Sequence, residues 1–174
     1  KSLREELNAR FADSYEIQGM EVDGSTDIPD HNFSIRGKMD MVERGIEGFG
    51  FVDFKTGAPA SDKEVAAGFD PQLPLAAYIL QRGGLDGFPK GDTARLGYMR
   101  IKGSNDGFDV KALGGVKSID ELTEDAVADL GRLIAAFDDP NQAYGSQVRA
   151  KYTHKWSDFD DLARRGEWAG ILGE

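Results

Sequence analysis

Residues Asp40–Gly57 read DMVERGIEGFGFVDFKTG and predict an antiparallel β-hairpin, the element from which the rest of the fold follows. Two short runs rich in apolar residues flank a turn that contains two glycines. With the turn centred at Ile46 and Glu47, residues whose numbers sum to 93 face each other across the hairpin. Asp40 therefore lies opposite Asp53, with Cβ atoms roughly 4.5–5.5 Å apart.

This pair of facing carboxylates predicts a metal site. Like charges opposite each other destabilise a sheet, so such a pair either raises one pKa or holds a cation between its members. Two carboxylates that leave positions open for water and phosphate suit Mg²⁺ or Mn²⁺. Lys55 projects from the same face as Asp53 and could steady a bound water or a phosphate oxygen. We interpret Asp40, Asp53 and Lys55 as a site for phosphodiester hydrolysis; the alternative is an ordinary solvated hairpin face.

A further candidate lies at the start of a predicted helix. In Asp70–Leu80, Asp70 is the expected N-cap and Pro71 the first helical residue. Gln72 then lies at a helix N-terminus, where free N–H groups and the helix dipole favour a phosphate. Tyr78 is six residues further on, roughly 240° round the helix, and is predicted to belong to the core.

The other elements follow from local patterns and predict an α/β domain with a mixed central sheet flanked by helices. Gly37, inside the first hairpin strand, predicts a bulge or a close backbone approach near Asp40. We expect a helix over 2–13, a strand over 15–22, turns over 23–32, strands over 94–102 and 107–113, and a long helix over 120–139.

The composition excludes several classes of protein and kinds of site. The 174 residues suffice for one domain, and no apolar run approaches the length of a membrane span. The absence of cysteine excludes disulfides, zinc sites with thiolate ligands and cysteine nucleophiles. Because Lys and Arg make most phosphate contacts, the net charge of −10 predicts weak, salt-sensitive DNA binding. The sequence begins at Lys1 inside a helix-like stretch, so we expect a domain cut from a longer protein.

The ordered set of Gly37, Asp40, Asp53-Phe54-Lys55 and Gln72 resembles the RecB-type branch of the PD-(D/E)xK nuclease superfamily. More narrowly, it resembles the C-terminal nuclease domain of AddB, a subunit of the bacterial AddAB helicase–nuclease that processes DNA double-strand breaks. The stretch Trp156–Trp168 also resembles the tail of AddB from alphaproteobacteria. The resemblance implies one restriction-endonuclease-like domain over residues 1–174. It also implies a cytoplasmic DNA exonuclease that uses Mg²⁺ or Mn²⁺ and works with an AddA-type subunit.

The resemblance also implies roles for individual residues. Asp40, Asp53 and the backbone carbonyl of Phe54 would hold the metal, with Glu21 as a weaker further ligand. Lys55 would orient the attacking water or stabilise the transition state, and Gln72 would support Lys55 or the phosphate.

The chain departs from the family in three ways. Many relatives hold an iron–sulfur cluster with four cysteines, which a chain without cysteine cannot do. The tyrosine that commonly follows the family glutamine by one turn is Ala76 here. Nothing over 1–13 clearly matches the upstream Glu or His of relatives, so we expect that residue to precede Lys1.

The sequence is also compatible with two other functions and with two roles for a basic stretch near the C-terminus. A DNA-end-binding or scaffold module would keep the fold without the chemistry, and a small-molecule metallohydrolase would need a closed apolar pocket. The basic, aromatic-interleaved stretch with Arg149, Lys151 and Lys155 is a candidate DNA contact, or a tail that wraps back over the fold.

Overall fold

The computed structural model describes residues 15–102 and 108–143. Its strands form one sheet in the order β1-β2-β3-β4-β5. Neighbouring strands are antiparallel except β3 and β4, which are parallel and are joined through two helices. The predicted mixed sheet flanked by helices is confirmed. The elements are β1 (Tyr15–Asp27), β2 (Ser34–Gly45), β3 (Phe49–Lys55), α1 (Asp62–Ala66), α2 (Gln72–Gln81), β4 (Thr93–Ile101), β5 (Phe108–Ala112) and α3 (Ile119–Asp138).

The β2–β3 hairpin has the predicted register. Met41 pairs with Val52, so the residue numbers sum to 93 as expected. At the tip, the Gly45 N–H donates to the Gly48 carbonyl at 2.9 Å. Ile46 is 97% exposed there, which places the reversal where the glycines predicted it.

The turn before β2 is shorter than predicted, because β1 continues as far as Asp27. Residues Asp23–Asp27 pair with β2, and the Ser25 N–H donates to the Gly84 carbonyl at 2.9 Å. The reversal itself is closed by a hydrogen bond from the Ile28 N–H to the Phe33 carbonyl. Pairing on both sides of β1 therefore outweighs the local turn preference of Asp, Gly and Ser.

The bulge predicted at Gly37 is wrong. Gly37 pairs with Gly24 in an unbroken register, and a Cβ built on it would meet only the end of the Met39 side chain. The irregularities lie on β1 instead. The register shifts between Ile17 and Gly19, and Glu21 adopts the left-handed region with φ of +53°.

The sheet has apolar side chains on both faces, and α2 packs on one of them. Most of α2 is buried, which explains why it is apolar on nearly every side. Tyr78 is 9% exposed, as its predicted core position requires. The α2 face of the sheet includes Phe49, Phe51, Leu96 and Tyr98, and the opposite face includes Ile17, Met41, Val52 and Met99.

The last described helix, α3, matches its predicted bounds closely. Leu122 and Ala126 are buried in it, whereas Leu133 further along the helix is 55% exposed. The described residues up to Ala136 belong to one compact unit, and those from Phe137 onward belong to a second. None of the helices in the described ranges is long and apolar enough to cross a membrane.

A buried acid on the hairpin gives a stability prediction. Glu43 is fully buried, its carboxylate has no hydrogen bond within the described ranges, and Arg95 Nη1 is 3.7 Å from Oε2. Burial raises the pKa of Glu43 above its ordinary value of 4.5, and Arg95 offsets this only in part. The folded state therefore favours the protonated acid, and this contribution to stability falls as the pH rises from 4.5 through the raised pKa.

We expect Glu43→Met to increase the free energy of unfolding at pH 7 by roughly 1–4 kcal/mol, since an apolar side chain removes the buried charge. Urea unfolding from pH 4 to pH 8 measures this, and the difference between the proteins should shrink toward pH 4. A variant that is less stable at pH 7 would show that attraction to Arg95 exceeds the cost of burial.

Candidate active site

The predicted site forms where β2 and β3 separate. The backbone ladder ends at Met41 and Val52, one step before the expected pair of Asp40 and Asp53. Asp40 reaches β3 through its side chain instead, because its Oδ2 accepts a hydrogen bond from the Phe54 N–H at 2.7 Å. Asp40 and Asp53 line one narrow cleft together. The structure thus brings the two carboxylates together, although not as a backbone pair.

Asp53 is the more buried of the two acids, with 5% of its surface exposed. Its Oδ2 lies 2.8 Å from Lys55 Nζ. Burial raises the pKa of Asp53, the hydrogen bond and charge of Lys55 oppose this, and the negative charges of Asp40 and Asp70 add to it. The net pKa is raised because the cost of burying the charged form outweighs the stabilisation by Lys55.

Lys55 connects Asp53 to the start of α2. Its Nζ donates to Gln72 Oε1 at 3.4 Å as well as contacting Asp53. Burial alone would lower the pKa of Lys55, but the hydrogen bond to Asp53 and the nearby carboxylates raise it overall. Lys55 is therefore an ammonium at neutral pH and acts as a hydrogen-bond donor rather than a base.

The start of α2 differs from the prediction. The helix begins at Gln72 with Pro71 as its N-cap, and no side chain caps it. Asp70 therefore does not serve as the N-cap, because its carboxylate lies beside Tyr98 instead. Burial first and then the charge of Asp70 raise the pKa of Tyr98. Asp70 also raises the pKa of Lys55, which places it at the edge of the site.

Glu21 lies on β1 between Met20 and Val22, which pair with Met41 and Met39, so its backbone is level with Asp40 on β2. Its side chain is exposed, and Oε2 is 3.8 Å from Nζ of Lys38, a residue that lines the cleft. Within residues 15–102 and 108–143, no cluster of three or more His, Asp or Glu is arranged to hold a metal. The candidate DNA contacts Arg149, Lys151 and Lys155 lie outside the described residues.

The chemistry of the remaining donors fits a hard divalent cation. Asp40 raises the pKa of Asp53, so the two charges repel and a cation between them would relieve that repulsion. Magnesium is commonly held by one or two carboxylates, with waters and substrate phosphates completing its coordination. The backbone carbonyl of Phe54 lies between the acid and the lysine of β3, within the same short segment.

These residues carry the pattern of a known nuclease superfamily. A sequence model described as the PD-(D/E)XK nuclease superfamily matches residues 1–164. The chain belongs to the PD-(D/E)XK nuclease superfamily. Membership implies nuclease activity in general, and the mixed five-stranded sheet with flanking helices is consistent with the restriction-endonuclease-like fold. No curated protein matches the chain.

Two residues beside this PD-(D/E)XK site were missed from the sequence. Tyr98 pairs in register with Asp53 on the neighbouring parallel strand, and Asp70 lies beside it. Tyr98 falls within the strand predicted over 94–102, but no local sequence pattern indicated which strand lies alongside it. A wider groove around Arg44 and Phe88 opens at the opposite end of β3 and contains none of the predicted site residues.

Proposed function

We propose that this protein is a DNA nuclease that depends on a divalent metal and acts through Asp40, Asp53, Lys55 and Gln72. One observation carries the proposal. In a member of the PD-(D/E)XK superfamily, Lys55 contacts both Asp53 and Gln72, while Asp40 lines the same cleft. Two acids that can hold a cation, together with a fixed ammonium, suit the hydrolysis of a phosphodiester. The cation and the ammonium would both stabilise the negative charge on the attacking and leaving oxygens.

Each side chain has a role in this proposal. Asp40, Asp53 and the Phe54 carbonyl would hold Mg²⁺ or Mn²⁺. When bound, such a cation neutralises charge on the phosphate and supplies a water of lowered pKa. Lys55 donates a hydrogen bond to a phosphate oxygen or to the attacking water, and the amide of Gln72 fixes the direction of its ammonium. The N-terminus of α2 adds a favourable dipole for the phosphate.

The biological setting is proposed from resemblance. The motif spacing and the tail resemble the AddB nuclease domain, so we infer an exonuclease that processes double-strand breaks with an AddA-type helicase–nuclease subunit in the cytoplasm. The net charge of −10 supports a need for a partner, because a basic channel supplied by another subunit would hold the DNA.

A second candidate is a DNA-end-binding module that keeps the fold but has lost the chemistry. Ala76 in place of the family tyrosine and the negative charge favour it. Cleavage of linear and covalently closed circular duplexes in Mn²⁺, with EDTA as the control, separates the candidates. Loss of linear DNA alone supports an exonuclease, and loss of both supports an endonuclease. No cleavage of either DNA, or of single strands, would contradict the nuclease proposal and leave the binding module.

Arg100 gives a prediction about DNA contact. It is exposed, pairs in register with Lys55, and forms no ion pair within the part of the chain that the structure describes. We expect Arg100→Gln to weaken DNA binding and to reduce the slope of log Kd against log salt by about 0.7–0.9, the value for one phosphate contact. Fluorescence anisotropy in Ca²⁺ or EDTA measures both quantities.

The matched control is Arg82→Gln. Arg82 is also exposed but caps the other end of α2, about 15 Å from Gln72 along the helix. This variant should keep the wild-type slope. Equal slopes for all three proteins would show that Arg100 does not contact the DNA.

A further inference from the structure

Tyr98 is buried beside the proposed site, and its hydroxyl has no hydrogen-bond partner among the described residues. The residue is 0% exposed and pairs in register with Asp53. Its hydroxyl forms no hydrogen bond within the described ranges. Because an unpaired buried hydroxyl costs free energy, Tyr98 would destabilise the folded state if its only role were to fill space.

The ring of Tyr98 lies against the ammonium of Lys55. Nζ is 5.6 Å from the ring centroid, within the range of a cation–π interaction. The same ammonium contacts Asp53 at 2.8 Å and Gln72 at 3.4 Å. A lysine has a flexible stem of four carbons, so contacts on several sides are needed to hold its charge at one point.

Asp70 faces the other end of Tyr98. Its carboxylate lies beside the hydroxyl, although no hydrogen bond of normal length joins them. Asp70 immediately precedes α2, whose first residue is Gln72. The phenol hydroxyl can donate a hydrogen bond to this carboxylate after a small side-chain rotation. That contact would connect the start of α2 to β4 underneath Lys55.

We propose that Tyr98 is a positioning residue of this site: its ring holds the Lys55 ammonium beside Asp53, and Asp70 anchors its hydroxyl. The contact itself is a property of the fold. Its effect on cleavage rests on the proposed nuclease function.

Kinetics of two variants test the effect on cleavage. Tyr98→Leu removes the ring, and Tyr98→Phe keeps it but removes the hydroxyl. We expect Tyr98→Leu to lower kcat roughly 10- to 100-fold with KM for DNA and Mn²⁺ affinity little changed, since a misplaced catalytic group slows the chemical step. Tyr98→Phe should fall between this variant and the wild type. The control is Tyr78→Leu, the same change at a buried tyrosine whose hydroxyl faces the Asp27 carbonyl, and it should keep the wild-type kcat.

NMR tests the contact without any reaction. With ¹³C-labelled lysine, the Cε methylene of Lys55, assigned through Lys55→Met, should show a ring-current shift in the wild type and in Tyr98→Phe. The shift should vanish in Tyr98→Leu. A wild-type methylene at the position of an exposed lysine would overturn the proposal even if Tyr98→Leu failed to fold. A wild-type kcat in Tyr98→Leu would overturn the positioning role. Absence of cleavage by the wild type would instead count against the proposed function, and the NMR result would still decide the contact.

Discussion

Replacing Asp53 with asparagine is expected to abolish metal-dependent cleavage of DNA while leaving the protein folded. Asparagine keeps the shape of the side chain but removes the buried charge that would face the cation. A bound metal contributes several kcal/mol to transition-state stabilisation, so the loss should reach about 10³-fold or more in kcat. Initial rates on a linear duplex in saturating Mn²⁺ measure this. A matched control is Asp109→Asn, which removes an acid paired with Lys102 at 2.7 Å.

Asp53→Asn should abolish cleavage but should not destabilise the folded protein. The pKa of Asp53 is raised in the folded protein, so its charged form is disfavoured by folding and its contribution to stability falls as the pH rises above 3.8. In EDTA at pH 7, Asp53→Asn should therefore be at least as stable as the wild type. Mn²⁺ at 100 times its Kd should raise the wild-type Tm by about 5–10 °C and leave the variant unchanged. Full cleavage by Asp53→Asn, or an equal response to Mn²⁺, would contradict a metal at Asp53.

Replacing Lys55 with methionine is expected to slow cleavage strongly without loss of metal binding. Methionine fills a similar volume but cannot donate a hydrogen bond to a phosphate or a water. We expect kcat to fall by about 10²–10³-fold, the usual effect of removing one donor to developing charge. Mn²⁺ affinity should rise about fivefold, because removing a nearby like charge relieves roughly 1 kcal/mol of repulsion.

Calorimetric titration with Mn²⁺ and the cleavage assay together test this separation of roles. Lys102→Met is the control, since Lys102 is another lysine in a close ion pair, with Asp109, and follows the last residue of β4. It should keep both wild-type values. If Lys55→Met lost its Mn²⁺ binding, Lys55 would be needed to build the metal site rather than for the chemistry.

Local sequence patterns predicted the elements that local forces control. Alternation and the two glycines of the turn gave the β2–β3 hairpin and its register, since a reversal of this length leaves few ways to pair its strands. The start and end of α3 followed from apolar periodicity and from the acids of its first turn. The proximity of Lys55 to Gln72 was anticipated only through resemblance, because the two residues are separated by a loop and a short helix.

Features set by long-range pairing were not predicted. The parallel pairing of β3 with β4 crosses α1 and α2, and no local pattern encodes its register, so Tyr98 was not placed beside Asp53. The extension of β1 depends on partners in β2 and at Gly84, which outweigh the turn preference of its own sequence. Asp70 resembles an N-cap locally, yet its carboxylate faces Tyr98 on a distant strand. In each case tertiary contacts overrode local preference.

The most direct test of the account is to locate the metal in the unmodified protein. Fe²⁺ can replace Mg²⁺ at sites with oxygen ligands, and with ascorbate and peroxide it cuts the backbone nearest to it. Mass spectrometry of the fragments should show cuts next to Asp40 and within Asp53–Lys55, and excess Mg²⁺ should suppress them. Cuts confined to other segments, or no cuts that Mg²⁺ suppresses, would contradict a metal site between Asp40 and Asp53.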